Sequence, residues 1–113
     1  LLGRLTTAYR YIEFHDDELA AACAGIVDAD LYRMQGMVLP PGQNLASHPH
    51  PEHDVVIYMP MDHPVDLLFQ YPDEACPTEA GKAVLIPAGR WHSLPVNQSV
   101  RRFTIGLLYW NRR

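Results

Sequence analysis

The chain has 113 residues, 48% apolar and 19% charged, a composition that fits one globular domain and excludes a disordered polymer. No apolar run approaches the ~20 residues that a membrane-spanning helix needs. The net charge of −4, from one lysine and eight arginines against thirteen acids, excludes the basic excess of a general nucleic-acid binder. Four of the nine positive charges, Arg101, Arg102, Arg112 and Arg113, gather near the C-terminus, where a local anionic contact is open to them. Cys23 and Cys76 lie far apart and form no C-x-x-C, so a reducing, cytoplasmic setting is expected rather than a disulfide framework. All ten prolines fall between Pro40 and Pro95, and five of the six histidines share that window. Proline breaks helix interiors, so this stretch reads as strands and turns.

In chain order, Thr7 to Phe14 is rich in tyrosine, isoleucine and phenylalanine and reads as a strand. Asp16-Asp17-Glu18, the following Leu19–Ala24 run and Gly25 describe one short capped helix. His15 belongs to its N-terminal cap region, and Cys23 to its buried face. Leu31 to Leu39 reads as a strand closed by the Pro40-Pro41-Gly42 turn. Its alternation puts Tyr32, Met34 and Val38 on one face and Arg33 on the outside. Val55 to Met59 is a buried strand, followed by a proline-flanked turn that exposes His63. Val65 to Tyr71 alternates as a half-buried strand. Tyr71 to Glu79 reads as an acidic loop exposing Cys76, and Ala83 to Ile86 as a further apolar strand. Val100 to Trp110 is the longest candidate, with Phe103, Ile105, Leu107 and Tyr109 on one face. Many short strands with turns between them predict an all-β sandwich or barrel with one helix outside.

The densest chemistry is His48-Pro49-His50-Pro51-Glu52-His53-Asp54. His48 and His50 leave the same face of an extended backbone, and the two prolines hold that backbone extended. Two imidazoles presented rigidly are half of a metal site. Asp54 or Glu52 and a third imidazole would complete it, and His92, just after the Pro87-Ala88-Gly89 turn, is the candidate third. Glu52 and His53 otherwise read as rim residues.

These residues resemble the two motifs of the cupin family. Gly42, five residues, His48-Pro49-His50, three residues and Asp54 follow the first, with aspartate for the usual glutamate and Met61 where a glycine is expected. Gly81, Pro87, Gly89 and His92 follow the second, with Asn97 one residue late. The resemblance implies a single-domain cupin β-barrel (jelly roll) over residues 1–113, with a metal at His48, His50, Asp54 and His92 inside it. Histidine nitrogens with one carboxylate suit a divalent metal ion: Fe, Mn, Ni, Zn or Co. The shorter aspartate leaves open a site of three histidines, or one in which Glu52 substitutes.

The resemblance further implies a small-molecule substrate and a metal-dependent enzyme, either an oxygenase or an isomerase/lyase acting on an oxygenated or carboxylated molecule. The alternative is a non-catalytic metal- or ligand-binding module serving as a sensor or accessory protein. Tyr32 and Tyr58 are candidate catalytic residues, because a buried phenol needs a partner and can serve as acid or anchor. Arg90, beside a ligand histidine, could grip a substrate carboxylate with its forked donors. Neither nucleic acid nor membrane is expected as a partner. A homodimer is expected, with Val100 to Trp110 as the edge strand through which two copies would pair.

Overall fold

The prolines and turn residues cut the chain into short antiparallel strands. The computed structural model describes residues 10–13, 15–27, 29–51 and 54–112. The elements are β1 (Arg10–Glu13), α1 (Asp17–Ala24), β2 (Ala29–Leu39), β3 (Leu45–His48), β4 (Asp54–Pro60), β5 (Leu67–Phe69), β6 (Glu74–Cys76), β7 (Val84–Ile86), β8 (His92–Leu94) and β9 (Phe103–Arg112). One sheet runs β1-β2-β9-β4-β7 and the other β3-β8-β5-β6. The two-sheet jelly roll with one short helix is therefore the observed fold. Thr7–Tyr9 and Phe14, the ends of the first expected strand, lie outside the described residues.

The helix forms where the sequence puts its caps. The Asp16 carboxylate accepts from the Leu19 backbone N–H at 3.0 Å, and Asp17 and Glu18 occupy the first turn. Acidic groups there meet the unpaired N–H groups and the positive end of the helix dipole.

Both faces of the five-stranded sheet are covered. Met37, Leu39, Val56, Tyr58, Ile105 and Leu107 point between the sheets, where they meet Leu45, Leu67, Phe69 and Leu94 from the other side. Ile57, Met59, Leu108 and Trp110 point the other way, packing with Met34 and the buried Cys23 of α1. This explains why β4 reads as an unbroken apolar run, since all seven of its residues are buried. It also explains why β9 hides residues of both parities.

Three expectations need correction. Strand β9 is interior: it pairs with β2 on one side and β4 on the other, so it offers no edge for a second copy to join. The hydrogen-bonding edges of its sheet are β1 and β7. Cys76 ends strand β6 and is partly buried against the core rather than exposed in a loop. In β2 the expected face assignment fails, because Met37 and Leu39 are the residues that enter the core, so Arg33 and Gln35 share their face and line the cavity while Met34 packs outward with the helix. The one-residue bulge between Leu31 and Arg33 exchanges the faces of the strand's start, so Ala29 and Leu31 pack outward as well.

Asn97 ties the bottom of the barrel together. Its backbone bonds Gly42 and Gln43, and its buried side chain donates to the carbonyls of Leu39 at 3.0 Å and Arg101 at 2.8 Å. Its Oδ1 accepts from Ser99 N–H at 2.9 Å. The Gly42 side of this junction requires φ of +78°, a conformation that glycine adopts without strain. Asn97→Ala leaves those groups without partners and should cost about 2–4 kcal/mol. Urea denaturation checks this; a loss under 1 kcal/mol would show that the junction does not hold the fold.

Candidate metal centre

The site begins with a register. His48 closes β3 and His92 opens β8, and the two are directly paired across the antiparallel ladder. Directly opposed residues on one sheet face bring their side chains together. His50, two residues on and past Pro49, adds a third ring. Ring centroids lie 4.5 Å apart for His48 and His92, 4.9 Å for His50 and His92, and 5.3 Å for His48 and His50. One ligating nitrogen from each lies within 4.8 Å of the other two, an arrangement that could hold a metal ion.

Backbone carbonyls orient two of the rings. His48 Nδ1 lies 2.8 Å from Ala46 O, and His92 Nδ1 lies 2.8 Å from Arg90 O. A carbonyl only accepts, so each Nδ1 carries the proton and each Nε2 keeps its lone pair, the tautomer a metal ligand needs. Burial lowers the pKa of His50 to about 4, helped by the neighbouring rings of His92 and His48. Burial also lowers His92 to about 4, against the opposing pull of the Arg90 carbonyl. Both rings are therefore neutral near pH 7. The donor set fits a divalent transition metal, since neutral imidazoles on a rigid frame suit such ions.

The rings stand in the wall of a cavity of about 390 Å³ between the two sheets. Its floor is apolar, built from Met37, Leu45, Leu67, Ile86, Leu94 and Leu107. Tyr32, Arg33, Gln35, Asp54 and Tyr109 supply the remaining polar wall. That volume suits a small organic molecule.

Asp54 lines this cavity, but it is not part of the metal-capable group, which comprises His48, His50 and His92 among the described residues. The Tyr32 hydroxyl donates to Asp54 Oδ2 at 2.8 Å, which points the carboxylate toward β2. An aspartate is one methylene shorter than the glutamate usual at this place, and this one engages the tyrosine. Glu52 and His53 lie outside the described residues. Burial, then the bond to Asp54, pushes the Tyr32 phenol up to about 12.

Tyr58 and Arg90 stand elsewhere than the expected roles require. The Tyr58 ring reaches the cavity, yet its hydroxyl donates to the Val65 carbonyl at 2.8 Å deep in the core, and burial raises its pKa. That proton is committed to holding the chain after β4. Arg90 does not line the cavity. Its guanidinium donates to the carbonyls of Gln70 and Pro72 and lies over the Phe69 ring, clamping the turn after β5. Phe69 is core, Met34 is outside the barrel, and Trp91 is half exposed against Tyr71. His63 is exposed and stacks on Phe103, and His15 contacts Asp17, as their turn and cap positions suggest.

Three polar wall residues, Tyr109, Gln35 and Arg33, escaped the sequence reading of the site. Tyr109 sets its ring against His50 at 5.5 Å and against Tyr32 at 6.1 Å, and burial pushes its phenol up to about 12. Its membership of the inward face of β9 was the available signal. Arg33 and Gln35 share the parity of the inward Met37 and Leu39, the face that the sequence reading had placed outside.

No protein-family model and no curated protein sequence matches the chain. Solved structures do. A cupin domain from Bordetella pertussis superposes with a TM-score of 0.61 at 18% identity, covering 92% of this chain and 94% of that one. A predicted oxalate decarboxylase from Thermotoga maritima gives 0.64 at 17% identity, covering 91% and 80%. The cupin domain of an XRE family transcriptional regulator from Enterobacter cloacae gives 0.66 at 15% identity, covering 94% and 99%. Identity this low speaks to architecture, and the sheet order, the two motifs and these superpositions agree on it: the protein folds as a cupin.

Proposed function

We propose that the protein is a metal-dependent enzyme that holds a divalent transition metal at His48, His50 and His92 and acts on a small oxygenated molecule in the adjoining cavity. The observation that carries this reading is the convergence of three imidazoles, two of them locked by carbonyls in the ligating tautomer, in the wall of a partly apolar cavity. Three protein ligands leave coordination positions open, and such a metal supplies Lewis-acid or redox chemistry to a bound substrate. The reaction class is oxygenase or isomerase/lyase.

The chain's own residues do the rest. The apolar floor excludes water and seats the hydrocarbon part of a substrate. Tyr32 Oη holds a proton directed at Asp54 Oδ2, which makes a phenol–carboxylate pair at the cavity wall available to receive or return one. Tyr58 and Arg90 act by shaping the barrel rather than by touching substrate. A second reading, a ligand-binding module, draws on the likeness to the regulator's cupin domain, which this chain's fold covers almost completely.

Metal analysis of purified protein tests the reading first. The expected result is about one transition metal per chain, lost in His92→Ala and accompanied by a higher melting temperature in the loaded wild type. No metal in wild type, or unchanged content in His92→Ala, refutes it. Turnover of hydroxy acids, catechols and keto sugars with and without oxygen then separates oxygenase from isomerase/lyase. Saturable binding of one of these compounds with no turnover favours the binding module.

The two depressed histidines make the metal-free fold sensitive to acid. Free histidine titrates near 6.5, whereas His50 and His92 are held at about 4 in the fold. Between those values the unfolded chain binds protons that the folded chain refuses. Their contribution to stability is complete above pH 6.5 and is lost as pH falls toward 4. The melting temperature of metal-free protein should drop across that window, and less steeply in a His50→Gln, His92→Gln double variant. Equal slopes would contradict the burial argument.

A further inference from the structure

We infer that Tyr109 is a ligand-binding residue of the cavity and that its phenol donates a hydrogen bond to a carbonyl oxygen of the bound molecule. The inference rests on the reading of this cavity as the ligand site and adds to it the group that recognises the ligand's oxygen.

Most polar groups of the wall are already committed. The Tyr32 hydroxyl donates to Asp54, and the Tyr58 hydroxyl to the Val65 carbonyl. Arg33 and Asp54, the charged residues of the wall, are each engaged within the protein. His48 and His92 turn Nδ1 toward the carbonyls of Ala46 and Arg90, which leaves lone pairs rather than hydrogens on their Nε2 atoms. A carbonyl oxygen accepts without donating, so it needs a donor that none of these groups has to spare.

Tyr109 has one. It is half-buried and lines the cavity, and its contacts are made by the ring, 6.1 Å from Tyr32 and 5.5 Å from His50 between centroids. Among the described residues its hydroxyl enters no hydrogen bond. A phenol that is largely removed from water gains most from a partner supplied at that place. The residue is also firmly mounted, because β9 pairs with β2 and β4 and puts Tyr109 opposite Arg33 on one side and Val56 on the other. A donor held in place before a ligand arrives loses little freedom on binding it. The edge-on contact with His50 sets the phenol beside the metal-capable group, so a molecule reaching those imidazoles meets it. The Gln35 amide is the other donor left in the wall, and it stands diagonally from Tyr109 on the same face, opposite Leu107.

Acetophenone and α-methylstyrene separate these roles, since they share one shape and a methylene in the second replaces the carbonyl oxygen of the first. Both are titrated into metal-free and zinc-loaded protein and followed by NMR chemical shifts. Tyr109→Phe should weaken acetophenone binding about 3- to 10-fold, the range of one hydrogen bond, and leave α-methylstyrene binding unchanged. Its melting temperature should stay at the wild-type value, whereas Tyr58→Phe, which loses the bond to Val65, should melt lower. Wild type that does not bind acetophenone, an equal effect of Tyr109→Phe on both probes, or a selective loss carried by Gln35→Met in place of Tyr109→Phe overturns the assignment. So does a Tyr109→Phe variant destabilised as much as Tyr58→Phe, because its hydroxyl would then serve the fold. Failure of zinc to bind refutes the metal reading alone, since the metal-free titrations still decide for or against Tyr109.

Discussion

His48 and His92 meet because β3 and β8 pair antiparallel in one register, and the remaining parts of the site are arranged around that pairing. A shift of one residue would turn one of the two rings to the other face of its strand. The carbonyls of Ala46 and Arg90 then hold each ring from behind, using the same backbone that the strands present. His50 joins from the next turn because Pro49 and Pro51 stiffen the chain that carries it. His50 and His92, costly to bury as cations, are thereby held as neutral donors.

The site can be this rigid because the sheet opposite it is supported on both sides. The inner faces of β2, β4 and β9 form the far wall and the floor, and their outer faces are sealed by α1 and its apolar contacts. Close packing on two faces leaves those strands little room to shift, so the cavity between the sheets persists rather than collapsing. Asn97 and the clamp of Arg90 on its turn serve the same end from the loops. Asn97 and Arg90, neither of which reaches the metal-capable group, thus have structural work.

The mouth of the cavity is organised by an irregularity. The bulge at Tyr32 places Tyr32 and Arg33 consecutively against the cavity, something regular β-structure forbids because neighbouring side chains alternate. Tyr32 then reaches Asp54, whose carboxylate lies outside the group of three imidazoles that could hold a metal.

Much of this was legible in the residues. The prolines marked the strand-and-turn region, and the acids and alanines of 16–24 marked the helix. The spacing of Gly42, His48, His50 and Gly81, Pro87, Gly89, His92 carried both the fold and three metal-capable residues, because such spacings are set by local backbone geometry. The interior position of β9 was not legible, since strand order depends on contacts between segments far apart in the chain. The roles of Asp54, Tyr58, Arg90 and Arg33 were equally hidden. Residue type states what a side chain can bond; the partner it actually finds, Tyr32, Val65, the 70–72 turn or the cavity mouth, is supplied by strands from elsewhere. Sequence by itself determined the short β-strands, the capped helix and the histidines that converge. Tertiary structure alone decided which neighbours cover them and, through one bulged residue, that the start of β2 changes face, because a register is a property of two strands and not of either one.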